Sequence, residues 1–113
     1  MSKIYLAAPY TNKDPIVVEY RVKQINCAAA QIMRDGHIVF SPISHSHYIA
    51  MQEDLPKTFE WWVKQNHAFI EWADVVMVLK IEGWNKSKGV TDEVGFALKS
   101  KKMVKFIDCP EML

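Results

Sequence analysis

The chain predicts an open, parallel α/β sheet with helices on both faces, and three observations carry that expectation. Strand-like and helix-like runs alternate along it, and such alternation implies parallel strands joined by right-handed crossovers. The run Asp74 to Leu79 is almost unbroken in its apolar character, as expected of a strand buried on both faces. With 113 residues, half of them hydrophobic, residues 1–113 suffice for a single domain and its core without disulfide or metal staples. The expected sheet has about four to five strands.

Lys3 to Ala8 begins the series as a short strand rich in Ile, Tyr and Leu, broken by Pro9-Tyr10-Thr11-Asn12. Asp14-Pro15 opens a helix, an N-cap acid ahead of a proline at the first helical position. Val18, Val22, Ile25, Ala29 and Ile32 give it an apolar stripe, and Asp35-Gly36 ends it, Gly36 being free to turn left-handed. His37 to Phe40 is a second strand, stopped by Ser41-Pro42. Ile43 to Pro56 shows no clear period and is expected to be a long ordered loop, with at most one helical turn. A helix from about Thr58 to Trp72 leads to the strand at Asp74 to Leu79. Gly83 to Gly89 is a polar loop, Val90 to Ser100 a helix and Met103 to Ile107 the last strand.

A formal net charge of +1, with both signs scattered, disfavours a nucleic-acid partner. Lys99, Lys101 and Lys102 cluster where a helix ends, and lysines suit the negative end of its dipole. No apolar run approaches the roughly 20 residues of a membrane span, so no membrane partner is expected. The opening residues show no secretory signal, and a reducing, cytoplasmic setting is the expectation. Cys27 and Cys109 lack metal-ligand spacing, and Cys27, inside an alanine run, reads as a buried free thiol.

In open parallel sheets ligands bind beyond the carboxyl ends of the strands. Those ends carry Ala8, Pro9 and Tyr10, the stretch from Ser41 to His47, and Gly83 to Gly89. The last leads into a helix start, whose free N–H groups favour an anion. Ser87 and Gly89 could let a phosphate approach closely there, with Lys86 and Lys88 nearby, although local sequence favours Ser87 as a plain helix cap and the lysines as solvated. Neither a Walker loop nor a GxGxxG run is present, which disfavours NTPase or dinucleotide chemistry.

Glu93 shares its helical face with Val90 and Ala97, so an acid leaves from the sheet-facing side. Dipole compensation is the bland reading, and it fits Asp92 better. The sharper reading is a desolvated nucleophile or general base at the strand ends. Asn66 lies on the stripe of Trp62, Phe69 and Ala73, either as a hydrogen-bonded core amide or as a functional group. Asp74 opens its strand at the far edge and reads as structural. His45 and His47, even with His67, lack metal spacing; loop hydrogen bonds or an anionic ligand suit them better, and no metal or cofactor is expected. Trp84 is the aromatic best placed to cover a base, and a surface or dimer contact explains it as well.

The run Lys3-Ile4-Tyr5-Leu6-Ala7-Ala8-Pro9-Tyr10 resembles the first strand and loop of the nucleoside 2-deoxyribosyltransferase superfamily. So do Ala73-Asp74-Val75-Val76 and the run Ser87-Lys88-Gly89-Val90-Thr91-Asp92-Glu93-Val94-Gly95-Phe96-Ala97, which is similar to that of nucleotide N-glycosidases. Phe40 to His47 looks most like a branch labelled only as a domain of unknown function. The resemblance spans nearly the whole chain and implies a flavodoxin-like, Rossmann-like sheet. It implies a small-molecule nucleoside or nucleotide as partner, and a homo-oligomer in which neighbours complete each other's pockets.

The implied mechanism has a glutamate attack C1′ of the sugar and expel the base, after which water or a second base attacks the glycosyl ester; two inversions give retention. Glu93 matches that glutamate, Tyr5 a tyrosine that orients it, and Ser87 a serine that holds a 5′-phosphate. Asn66 departs from the pattern, standing where many members carry a proton-donating aspartate. An amide cannot protonate a base, which leaves three readings: another donor (Asp54, His45 or His47), slow turnover, or binding without cleavage. Ala8-Pro9-Tyr10-Thr11 also replaces the glycosidases' Gly-Ser-Ile-Arg-like loop.

Overall fold

A computed structural model describes residues 1–111. Strand β1 (Lys3–Ala7) leads through helix α1 (Pro15–Arg34) to β2 (Ile38–Phe40). Two helices follow, α2 (Pro42–Glu53) and α3 (Phe59–Trp72), then β3 (Val75–Leu79), α4 (Lys88–Lys99) and β4 (Met103–Ile107). A single 3-10 turn, Trp84–Lys86, lies between β3 and α4. All pairings are parallel and the strand order is β2-β1-β3-β4, a four-stranded flavodoxin-like sheet.

The period-2 alternation of the central strands divides the core. Ile4, Leu6, Val75 and Leu79 face α1, where they meet Ile25, Ala28, Ala29 and Ile32. Tyr5, Ala7, Val76 and Val78 face α3 and α4, where they meet Ile70, Val90 and Ala97. Burial of β3 is nearly complete on both faces, as its apolar run predicts.

Local chemistry sets most boundaries where the sequence places them. Asp14 caps α1 by accepting from the Ile16 N–H at 2.9 Å, with Pro15 as the first helical residue. Gly36, just past its end, takes φ +93°. Asp74 accepts from the Lys3 N–H at 3.0 Å, a tie between strand starts. Both cysteines are free, and Cys27 is partly exposed rather than buried.

The expected loop from Ile43 to Pro56 is, over most of its length, the helix α2, which corrects the sequence reading. Ser41-Pro42, read as a strand stop, is also a helix start: Ser41 Oγ accepts from the Ser44 N–H at 3.3 Å. The helix ends at Asp54, which turns left-handed at φ 50°. Its apolar residues are not arranged on one buried stripe. Only Pro42 and His47 are buried, while Tyr48, Ile49 and Met51 face outward, so no helical period is visible.

Candidate active site

The direction in which strands are added reverses between β1 and β3: β1 leads outward to β2, and β3 leads outward to β4 on the other side. A crevice at the carboxyl ends of these two central strands is the expected ligand position in such sheets. Arg21 of α1 joins the loops on either side of it, donating to Thr11 O at 3.0 Å and to Glu82 O at 3.2 Å.

Glu93 stands in the second turn of α4 and points to the sheet with only 6% of its surface exposed. Tyr5, fully buried in β1, donates its hydroxyl hydrogen bond to Glu93 Oε2. A carboxylate removed from water is strongly disfavoured. Burial pushes Glu93 up to about 8; the Tyr5 hydrogen bond opposes that rise and the charge of Asp92 adds to it. Tyr5 is itself raised, first by burial and then by the Glu93 charge. Tyr5 and Glu93 therefore form a desolvated hydroxyl–carboxyl pair between the central strand and α4.

Ser87 Oγ accepts from the Val90 N–H at 3.2 Å, so this residue is the N-cap of α4, which starts two residues earlier than the sequence suggests. Its hydroxyl hydrogen remains free to donate. A Cβ placed on Gly89 would stand 3.8 Å from Ser87 Oγ and 4.0 Å from Glu93 Oε1. The cap hydroxyl and the Glu93 carboxyl thus both lie close to Gly89 near the start of a helix, where backbone N–H groups attract anions.

Aromatic rings stand next to this pair. Phe40, at the end of β2, stacks on Phe69 of α3 with centroids 3.7 Å apart, and its ring lies 6.2 Å from that of Tyr5. His45 on α2 is 5.3 Å from Phe40, so it joins this aromatic group. Asn66 is partly exposed on α3 and its amide has no hydrogen-bond partner among the described residues; it is not the satisfied core amide of the bland reading.

Other candidates make different contacts. His47 is buried on α2, with Nδ1 2.5 Å from the Tyr10 hydroxyl and Nε2 3.0 Å from Glu19 of α1. Tyr10, His47 and Glu19 therefore form a chain on the α1–α2 side. Ala8 and Pro9 are buried at the end of β1. Trp84 is partly buried in the 3-10 turn with its ring against Phe106 of β4, 5.3 Å away. Two surface hollows of about 330 and 250 Å³ lie on the α1 side, and neither is lined by Tyr5 or Glu93. Among the described residues no cluster of three or more His, Cys, Asp or Glu side chains could hold a metal ion. No helix among them is long and apolar enough to cross a membrane.

Sequence reasoning missed Phe40, Phe69, Glu19 and Arg21, which come from elements far apart in the chain. Only the aromatic character of Phe40 and Phe69 at element ends was a signal.

Residues 2–108 match a family model described as a domain of unknown function (DUF1937). No curated protein matches the chain. The chain is also similar to a solved structure of a 2-deoxyribosyltransferase from the psychrotolerant bacterium Bacillus psychrosaccharolyticus, described as a biocatalyst for nucleoside synthesis. Identity is 28% and the TM-score 0.58, over 98% of this chain and 76% of that one.

Proposed function

Since the chain belongs to the DUF1937 family, a branch of the nucleoside 2-deoxyribosyltransferase-like superfamily, we propose that it breaks or exchanges the N-glycosidic bond of a nucleoside or its 5′-monophosphate. The observation that supports this best is the buried Glu93 carboxyl receiving the Tyr5 hydroxyl between the central strand β1 and the second turn of α4. In this reading Glu93, as the carboxylate, attacks C1′ while the C1′–N bond breaks and the base departs with the bonding electron pair, taking its proton from solvent water. Water or a second base then attacks C1′ from the opposite face, releasing Glu93, and the two inversions give retention. Tyr5 orients the attacking oxygen and favours its ionised form. Ser87, Gly89 and the start of α4 hold the phosphate of a monophosphate substrate, and the Phe40–Phe69 group borders the base.

The test is direct. Incubated with a panel of nucleosides and 5′-monophosphates, native protein releases free base, and Glu93→Gln lowers release by roughly 10³-fold or more. Unchanged release by that variant would remove Glu93 as nucleophile. A second reading, binding without cleavage, is favoured by Asn66, which offers an amide where a proton donor is wanted. Native protein that binds a nucleotide but frees no base from any substrate supports that reading instead.

A further inference from the structure

His67 follows Asn66 on α3, and its ring makes two contacts with α4. It stacks on Phe96 at a centroid distance of 3.7 Å and an interplanar angle of 11°, and its Nε2 meets Asp92 Oδ2 at 2.7 Å. The two side chains are 26% and 28% exposed, so the pair is neither a screened surface pair nor a fully desolvated one. The stack fixes the ring, which removes much of the entropic cost of holding the hydrogen bond. Asp92 is the chain neighbour of Glu93, and its charge reaches both members of the buried pair, raising Glu93 and Tyr5 alike.

We propose that His67 is a positioning residue for the Tyr5–Glu93 pair: docked on Phe96, it grips the Asp92 carboxylate and draws its charge toward α3, away from Glu93. This inference rests on the glycosyl-transfer reading for its purpose, since an attacking Glu93 must be ionised. The hydrogen bond from a neutral imidazole weakens the field of Asp92, and an imidazolium cancels it. Other ionic groups around α4 do not supply this. Tyr5 comes from β1 and already bonds Glu93, while β3 (Val75–Leu79) carries no titratable side chain. Lys88 pairs with Glu60 of α3 at 3.4 Å with both side chains over 70% exposed. Lys64 and Glu71 of α3, Lys86 of the 3-10 turn, Lys99 of α4 and Lys105 of β4 are exposed to solvent.

A carboxyl-carbon NMR titration of Glu93 in the full chain tests the proposal without any substrate. His67→Phe keeps a ring on Phe96 and loses the donor, so the Glu93 midpoint rises by about half a unit to one unit. Asp92→Asn lowers it by a similar amount, and adding His67→Phe to Asp92→Asn produces no further shift. His67→Gln, which keeps an N–H donor, gives a smaller rise than His67→Phe. It takes that variant's place in the same cycle if His67→Phe does not fold. An unchanged midpoint in the single variants at His67, or an equal shift with and without Asp92, overturns the proposal. If the titration follows this pattern but no substrate yields free base, the coupling stands and the glycosyl-transfer reading is what fails.

Discussion

Tyr5 and Glu93 hold opposite interests in their shared proton position. Burial favours a protonated Glu93, while the Tyr5 hydroxyl favours the carboxylate. Replacing Tyr5 by Phe removes the hydrogen bond that lowers it, so the Glu93 midpoint moves above about 8. Base release by Tyr5→Phe is then expected to fall most at neutral pH and to recover in part as pH rises, measured as kcat/KM against pH. The same residue ties stability to pH. Between an ordinary carboxyl value of 4.5 and about 8, the folded chain keeps a proton on Glu93 that the unfolded chain has lost. Stability therefore declines as pH rises through that window, because the native state binds the extra proton. Denaturant midpoints measured across it should fall for native protein, and this component of the fall should be missing in Glu93→Gln.

Each functional group reaches the site through the element that carries it. Helix α4 carries Glu93 in its second turn on the face that Val90 and Ala97 pack into the core, behind the Ser87 cap. Ser87→Ala loses the bond to Val90 and is expected to cost about 1 kcal/mol, read from chemical denaturation. The same variant separates capping from phosphate binding: a larger loss of affinity for a monophosphate than for its nucleoside is expected, and an equal loss would leave Ser87 as a cap alone. Helix α2 shows how an element escapes a sequence reading. Its Ser-Pro start carries the same kind of signal as the Asp14-Pro15 start of α1. With Tyr48, Ile49 and Met51 outward, though, it lacks the one-sided stripe that periodicity detects.

For the molecule as a whole, we propose that copies of the chain associate with one another. Tyr48 and Met51 on α2 are each 62% exposed and Trp61 on α3 is 47% exposed, large apolar side chains left facing water. Light scattering at assay concentration is expected to report a dimer or larger species, and a monomer would remove this expectation.

The sequence by itself determined the layout. Alternating runs, the Asp14-Pro15 start, the Gly36 stop and the apolar β3 fix parallel strands and the helices between them, since capping and strand burial are written in neighbouring residues. The inward placement of Glu93 was legible too, from its spacing to Val90 and Ala97. Tertiary structure decided which distant groups meet: Phe40 on Phe69 and His67 with Asp92, while the Tyr5–Glu93 contact across 88 positions was legible only through the family resemblance and not from spacing. It also decided that α2 is a helix, because a surface element held by its cap and turns leaves no buried period to read. Pairings between elements depend on strand order and on how the helices pack across the sheet, and local spacing carries no record of either.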